Sequence, residues 1–283
     1  MQRLPDYLKR PIIDTEKTKA VRYILKEKSI NTVCDGARCP NKCECYAKNT
    51  ATFLIMGTVC TRNCRYCNIS TAKPEPLDIN ESKHIAEAVK ELGLKYAVIT
   101  SVTRDDLPDG GAEHFKNCID EIRKICDAKV EILTPDFRQG LFCLDTIIEA
   151  HPDVFNHNIE TVKSLFKTAR PQGDYNLSIT VLKYIKENSD IITKSGLMVG
   201  LGEEINEIEE TLVDLKNAGV DIITIGQYIQ PSKKHLNVAK YYTLDEFEEL
   251  KKLAKKIGFN NYQISPLVRS SYQAMKSWQS SKI

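Results

Sequence analysis

Six cysteines near the start of the chain form two triplets whose spacing is suited to metal binding. The first triplet, C-x4-C-x5-C, consists of Cys34, Cys39 and Cys45. The second triplet, C-x3-C-x2-C, consists of Cys60, Cys64 and Cys67. Thiolates are soft ligands for zinc and iron–sulfur clusters, and three of them leave one position of a tetrahedral or four-iron site without a cysteine. Each triplet therefore predicts a site that is either open for chemistry or completed by a distant residue.

The overall composition is that of an ordinary globular protein and excludes several function classes. Of the 283 residues, 42% are apolar, and 40 basic and 38 acidic residues give a formal charge of +2. Such a balance creates no global field for nucleic acid or a membrane surface. No apolar run approaches the ~18 residues that cross a bilayer, and the start, MQRLPDYLKRPIID, is too polar for a secretory signal. We expect a cytoplasmic protein without a nucleic-acid or membrane partner.

A reducing compartment favours metal ligands or catalytic groups over disulfides among the ten cysteines. The second triplet could instead be a zinc knuckle, but zinc sites usually pair C-x2-C units or add histidine, and the nearest histidine is His84. Cys43 adds a thiol inside the first triplet that the C-x4-C-x5-C spacing does not need. We expect Cys118, Cys126 and Cys143 to be small buried apolar residues.

Beyond residue 50, short β-rich apolar runs alternate with amphipathic helical stretches. The predicted strands are residues 51–58, 96–102, 129–134, 154–159, 196–200 and 222–227. This alternation predicts a parallel α/β fold. Six β/α units fit a partial (β/α)6 TIM-like barrel better than a complete eightfold barrel of ~250 residues. An open doubly wound sheet fits the same periodicity and is the structural alternative.

Apolar stripes at helical spacing fit between the strands. They are Ile85, Val89 and Leu92 before Gly93; Ile205, Ile208, Leu212 and Leu215 before Gly219; and Phe247, Leu250, Leu253, Ala254 and Ile257 after a capping box of Thr243 and Glu246. Parallel α/β folds place their chemistry at the carboxyl ends of strands, and the second triplet follows the first predicted strand. We expect an N-terminal extension (1–50), a barrel (51–259) and a C-terminal tail (260–283).

The string CTRNCRYC, at the end of the first predicted barrel strand, resembles the signature of the radical SAM superfamily. In that superfamily three cysteines hold a [4Fe–4S] cluster whose open iron binds S-adenosylmethionine, and reductive cleavage of this cofactor releases a 5′-deoxyadenosyl radical. The resemblance assigns this role to the second triplet. Tyr66 matches the aromatic position near the adenine, with plain loop packing as the alternative.

Further blocks resemble the lipoyl synthase family within that superfamily. They are CDGARCPNKCEC, SVTRDDLPDGGAEHF, FNHNIETV, KSGLMVGLGE, IGQYIQPSKKHL and PLVRSSYQA, in one order along nearly the whole chain. The resemblance implies a second, auxiliary [4Fe–4S] cluster held by the first triplet. Its fourth ligand would be a serine of the R-S-S-Y motif, which we assign to Ser271. The N-terminal and C-terminal extensions would then close over the barrel mouth.

The implied reaction inserts two sulfur atoms, supplied by the auxiliary cluster, at C6 and C8 of an octanoyl chain on a protein lysine. The catalytic set would be Cys60, Cys64, Cys67 and Ser271. Cofactor contacts would come from Tyr66 and from strand-end residues, for which backbone capping is the alternative: Thr103, Asn158, Glu160 and Glu203.

The resemblance also implies partners. These are octanoylated lipoyl domains of 2-oxoacid dehydrogenase complexes or the glycine cleavage H protein, a ferredoxin- or flavodoxin-type electron donor, and an iron–sulfur carrier protein. Three other functions fit part of the pattern. They are another sulfur-inserting radical SAM enzyme, such as one resembling biotin synthase; an iron–sulfur electron carrier; and a zinc-stabilised binding module.

Overall fold

The computed structural model describes residues 3–11, 15–48 and 50–282. They divide into two compact units. The N-terminal unit comprises Arg10–Arg62 and Asn68–Asp153, and the C-terminal unit comprises the remaining described residues, chiefly Asn63–Cys67 and the chain from Val154 onward.

The N-terminal unit is built on a mostly parallel sheet. Its strands are β1 (Asn31–Thr32), β2 (Thr52–Ile55), β3 (Val59–Cys60), β4 (Ser70–Thr71), β5 (Tyr96–Ser101) and β6 (Lys129–Leu133). Strands β2, β5 and β6 are parallel neighbours in chain order, and β1 adds antiparallel to β2. The short strands β3 and β4 form a separate parallel pair. The helices are α1 (Glu16–Glu27), α2 (Val33–Gly36), α3 (Lys42–Ala47), α4 (Glu81–Glu91), α5 (Ala112–Ile125) and α6 (Phe142–Ala150).

The C-terminal unit contains four parallel strands, again in chain order. They are β7 (Val154–Asn156), β8 (Ile192–Val199), β9 (Ile222–Gln227) and β10 (Asn261–Ile264). Its helices are α7 (Phe166–Ala169), α8 (Tyr175–Asn188), α9 (Ile205–Asn217), α10 (Leu244–Ile257) and α11 (Ala274–Ser280), and 3-10 turns lie at Asp6–Leu8 and Lys163–Leu165.

Each unit contains three of the six predicted β/α repeats, so the α/β class is confirmed. Neighbouring strands follow chain order within each unit, as in barrel-type winding, whereas a doubly wound sheet reverses its strand order at a switch point. The predicted strand at 196–200 is longer than expected and begins at Ile192. The closing of the extensions over a barrel mouth, and the division at residues 50 and 259, stay predictions.

The predicted helix boundaries are confirmed where capping chemistry defines them. Thr243 and Glu246 form the reciprocal capping box of α10, and Gly93 and Gly219 adopt positive φ directly after α4 and α9. Ile205, however, is exposed at the first turn of α9, while the rest of its stripe is buried. No described helix has the length and apolar character needed to cross a bilayer.

The segment after residue 259 is more ordered than a polar tail. Strand β10 pairs with β9, and α11 packs behind it through Asn261 and Gln263, whose side-chain amides donate to the Ser277 carbonyl and hydroxyl oxygens, respectively, at 2.7 Å. The sequence pattern missed β10 because its residues are polar and only Ile264 is buried. The R-S-S-Y motif therefore lies on a loop that is anchored at both ends.

Candidate active site

The three thiols of the first triplet lie close enough to interact within the N-terminal unit. Cys34 is buried in α2, Cys39 follows that helix, and Cys45 lies in α3. Burial, with a smaller contribution from the nearby Cys34 and Cys39 thiols, raises the pKa of Cys45 to about 12. Burial likewise raises the pKa of Cys34 to about 11, although backbone and side-chain hydrogen bonds from Thr52 oppose the shift. The structure therefore brings these three thiols near one another, and their role as cluster ligands stays a prediction.

A carboxylate fixes the two short helices that carry this triplet. Asp35 Oδ2 accepts from the hydroxyls of Thr32 and Tyr46, each at 2.8 Å, and Asp35 Oδ1 accepts from Lys42 Nζ at 2.8 Å. Burial would raise the pKa of Asp35, but the hydrogen bonds from Lys42, Thr32 and Tyr46 outweigh it and lower this pKa below the ordinary 3.8. Because Asp35 follows Cys34 and Tyr46 follows Cys45, these bonds tie two cluster-ligand candidates to one anchor.

Cys60 ends strand β3, and its sulfur accepts two backbone N–H groups. They come from Arg62 at 3.4 Å and from Thr103 at 3.3 Å. The Thr103 carbonyl in turn accepts from both the amide and the hydroxyl of Thr61 at 3.0 Å. N–H donors at sulfur stabilise a thiolate and tune a cluster that the thiolate binds. The structure therefore places Thr103, a predicted cofactor contact, directly beside Cys60.

Arg62, inside the second-triplet motif, belongs to a buried ion network that sequence reasoning missed. Its guanidinium donates in a bidentate manner to Asp105, at 2.7 and 2.8 Å, and to Asp136, at 2.6 and 2.7 Å. Asp105 follows β5 and Asp136 follows β6. The neighbouring acidic residues of the 104–109 loop are used differently, since Asp106 pairs with Arg104 and Asp109 caps the start of α5.

The loop bearing Cys64 and Cys67 is held within the C-terminal unit by the P-S-K-K-H-L segment. His235 Nε2 lies 2.9 Å from the Cys67 carbonyl oxygen, and its Nδ1 lies 2.9 Å from the Ser232 hydroxyl. A carbonyl only accepts, so Nε2 carries the proton and Nδ1 accepts from Ser232. The Leu236 amide also donates to the Arg65 carbonyl at 3.0 Å.

Three of the predicted cofactor contacts meet within the C-terminal unit. The Tyr66 hydroxyl lies near the Glu160 carboxylate, and Asn158 Nδ2 donates to Glu160 Oε1 at 3.2 Å. Burial raises the pKa of Glu160, whereas Arg170, Asn158 and Tyr66 oppose that shift. Burial also raises the pKa of Tyr66, with Glu160 adding to the effect. A half-buried carboxylate beside an amide and a phenol can accept hydrogen bonds from the hydroxyl groups of a bound ligand.

The backbone at this point is strained, which often marks a functional site. Glu160 has a φ of 70° although it is not glycine. Its amide donates to the Gly196 carbonyl at 2.9 Å, and its carbonyl accepts from the Met198 amide at 2.8 Å, so β8 holds the strained residue in place. Gly196 is required for this approach, because a Cβ there would lie 2.4 Å from Thr224 Oγ1 and 3.1 Å from Asn158 Oδ1.

The R-S-S-Y motif is joined to this cluster through Ser270. Asn158 Nδ2 lies 2.7 Å from Ser270 Oγ, and Ser270 Oγ lies 2.9 Å from Asn158 Oδ1. The motif approaches strand β9 closely at Gly226, where a Cβ would lie 2.1 Å from the Val268 carbonyl oxygen. Ser271 is half-buried on the same loop.

Glu203, the last predicted cofactor contact, is buried in the turn after β8. Its Oε1 accepts from the Gly200 amide at 2.5 Å and its Oε2 from the Leu201 amide at 2.9 Å. These bonds are the strand-end capping that its position also suggests, and a role toward the cofactor stays a prediction.

The remaining cysteines are thiols that take no part in these groupings. Cys118 and Cys143 are buried as expected. Cys126 is only half-buried, because it lies at the end of α5, where its thiol donates to the Ile122 carbonyl. The structure gives Cys43 no assigned role.

The donor chemistry fits iron–sulfur clusters. Within residues 3–11, 15–48 and 50–282, no group of three or more His, Cys, Asp or Glu side chains is arranged to hold a metal ion as it stands. A four-iron cluster is a body of several atoms, so its thiols need not converge on one point. The triplets supply soft thiols, and hydrogen-bond donors of the protein contact the sulfurs of Cys34 and Cys60.

Comparison with known proteins identifies close relatives. The model of the Radical SAM superfamily matches residues 54–215. A lipoyl synthase from Caldanaerobacter subterraneus subsp. tengcongensis is 48% identical over 96% of each chain. Another from Caldicellulosiruptor saccharolyticus is 50% identical over 95% of each chain.

Solved structures share the fold at low sequence identity. SuiB from Streptococcus suis, in a structure bound to S-adenosylmethionine, superposes with a TM-score of 0.60 at 13% identity. It covers 80% of this chain, which spans about half of SuiB (54%). Methylornithine synthase gives a TM-score of 0.54 at 13% identity over 88% of this chain and 82% of its own.

These neighbours confirm the radical SAM α/β fold. The relatives at 48–50% identity cover nearly the full length of this chain. The chain belongs to the lipoyl synthase family of the radical SAM superfamily.

Proposed function

We propose that this enzyme inserts two sulfur atoms at C6 and C8 of a protein-bound octanoyl chain and so forms a lipoyl group. The observation that carries the proposal is that the three thiols of the first triplet, C-x4-C-x5-C, lie in one region of the N-terminal unit. A radical SAM enzyme that only cleaves its cofactor needs no such second set of thiols. Its presence in a chain of this family supports an auxiliary cluster as the sulfur source.

The second triplet would hold the cluster to which S-adenosylmethionine binds. When both are bound, the cluster and S-adenosylmethionine supply a radical reactive enough to remove hydrogen from an unactivated C–H bond. The chain's own residues bind and orient: Asn158 and Glu160 offer an amide and a carboxylate to ribose hydroxyls, and Tyr66 lies beside them. Thr103 fixes Cys60 through its backbone amide.

The first triplet would hold the auxiliary cluster, with Ser271 as its fourth ligand. The two serines of R-S-S-Y are adjacent, and the hydroxyl of Ser270 is already paired with Asn158. The resemblance of the R-S-S-Y motif to that of the family supports Ser271 as the ligand. An oxygen donor matches cluster iron less well than a thiolate does, so this corner is the weakest one. A weak corner suits a cluster that must open to release sulfur.

Octanoylated lipoyl domains are the substrate class that the family implies. We propose that they come from 2-oxoacid dehydrogenase complexes or the glycine cleavage H protein. A ferredoxin- or flavodoxin-type protein would supply electrons, and an iron–sulfur carrier would rebuild the auxiliary cluster. The cytoplasm is the compartment in which these partners would meet the enzyme.

The assignment of the clusters is tested by iron counting on anaerobically reconstituted protein. Two four-iron clusters predict about eight irons per chain. Replacing all three cysteines of the second triplet by alanine should halve the iron and abolish cleavage of S-adenosylmethionine. Replacing the first triplet should also halve the iron but leave cleavage intact. Cleavage that survives loss of the second triplet would contradict the assignment.

A further inference from the structure

The Arg62 network is a buried arrangement that the proposed chemistry does not use. Only 3% of the Arg62 side chain and 1% of the Asp136 side chain are exposed, and Asp105 is 20% exposed. Buried ion pairs with excellent geometry hold their groups tightly, because a partner left unpaired inside the protein is strongly unfavourable. Four charge-assisted hydrogen bonds of 2.6–2.8 Å meet that condition.

The network joins the end of the Cys60–Arg62 segment to the loops that follow β5 and β6. Arg62 is two residues beyond Cys60, and its own backbone amide donates to Cys60 Sγ. Its carbonyl accepts from the Thr71 hydroxyl at 3.0 Å, which fixes the other side of the peptide. The Asp105 amide donates to Thr61 Oγ1 at 3.1 Å. Side chain and backbone of residue 62 are thus both fixed, and the fixed backbone points a donor at the sulfur.

The two carboxylates favour the charged form of Arg62. Burial alone would lower the pKa of Arg62, but Asp105 and Asp136 outweigh that effect and raise it. Arg138 is the other cation near this group, with Nη1 3.8 Å from Asp105. The charged guanidinium therefore forms hydrogen bonds with both carboxylates at once.

We propose that Arg62 is a positioning residue of the second triplet, which acts through its backbone amide on Cys60 Sγ and is held there by Asp105 and Asp136. Lysine cannot replace it, since an ammonium lacks the planar fork that reaches both carboxylates. The inference rests on the proposed function only for the identity of the cluster that Cys60 binds.

The first test is hydrogen exchange on the full-length, iron-free protein. In Arg62→Lys, the amides of Thr61 and Arg62 should exchange at least about tenfold faster than in the wild type. Arg104→Lys is the matched control, since Arg104 is equally buried and pairs with Asp106 in the neighbouring loop. It should leave the amides of residues 61 and 62 unchanged.

The second test is the reduction potential of the cluster whose electron paramagnetic resonance signal responds to added S-adenosylmethionine. Loss of an N–H donor at a ligating sulfur leaves the sulfur richer in electrons, so Arg62→Lys should make the potential more negative. Asp136→Asn should shift it in the same direction, and the double variant should add little to either single change. A direct charge effect would instead make Asp136→Asn more positive.

Each outcome decides the question. Unchanged exchange at residues 61 and 62, or an equal change in Arg104→Lys, would overturn the positioning role even if the enzyme inserts sulfur. Faster exchange in a chain that inserts no sulfur would leave the positioning role intact and refute the proposed function. If Arg62→Lys does not fold, Asp105→Asn provides the same test at the more exposed carboxylate.

Discussion

The Tyr46 hydroxyl provides a sharp test of how the first triplet is held together. Tyr46 is fully buried, and its hydroxyl lies 2.8 Å from Asp35 Oδ2 and 3.0 Å from Thr32 Oγ1. Tyr46→Phe keeps the ring and removes only this hydroxyl. We expect α2 and α3 to separate more readily in the variant, which would expose Cys34.

The magnitude follows from the partners that remain. A hydrogen bond to a charged group contributes about 1.5–3 kcal/mol. The Asp35 side chain is 56% exposed and keeps Thr32 and Lys42, so water can replace part of the loss. We therefore expect the lower end, about 1.5 kcal/mol, which corresponds to an opening equilibrium about tenfold larger.

The assay is the rate at which a thiol reagent labels Cys34 in the iron-free native protein, followed by mass spectrometry of the peptide. Tyr96→Phe is the matched control, because the Tyr96 hydroxyl is also buried in this unit and donates to the Glu131 carboxylate at 2.7 Å, away from the triplet. Cys34 labelling that changes less than about twofold in Tyr46→Phe, or equally in both variants, would refute the local anchor.

Two further predictions concern the clusters. Ser271→Ala should leave S-adenosylmethionine cleavage largely intact but stop sulfur insertion. Ser270→Ala loses the hydrogen bonds to Asn158. This variant should bind S-adenosylmethionine about fivefold more weakly, which corresponds to a loss of ~1 kcal/mol of binding free energy. Sulfur insertion lost in Ser270→Ala but kept in Ser271→Ala would show that the ligand is the other serine. Iron loading of the first triplet should improve as the pH rises from about 7 to 9. Burial raises the pKa of Cys34 to about 11 and that of Cys45 to about 12, and iron binds the deprotonated thiolates. Loading is measured in protein that lacks the second triplet, and loading that does not depend on pH would contradict these raised pKa values.

Local patterns in the sequence were sufficient to predict the six core strands and the capped helices. Apolar periodicity and capping chemistry depend on residues a few positions apart, and α10 begins at the predicted Thr243–Glu246 box. Strand β10 was missed because an edge strand with one buried side chain carries almost no apolar pattern. Its pairing with β9 depends on backbone hydrogen bonds, which residue types reveal poorly.

Sequence patterns likewise reveal some of the candidate functional residues but not those whose partners are distant along the chain. Spacing identified both triplets, and the family resemblance indicated Asn158 and Glu160. The partners of Arg62 lie 43 and 74 residues further along the chain, and His235 lies 168 residues beyond Cys67. Such contacts depend on which strand ends become neighbours, so they emerge only from the folded chain. The charges of the 104–109 loop serve internal pairing and capping.

The products of one anaerobic reaction test whether this enzyme inserts sulfur into a protein-bound octanoyl chain. The reconstituted enzyme is mixed with S-adenosylmethionine, a reductant and a lipoyl-domain peptide that carries an octanoyl-lysine, and the peptide is read by mass spectrometry. We expect a product with one sulfur atom that is then converted to one with two. Cleavage of S-adenosylmethionine with no sulfur added to the peptide would contradict this expectation.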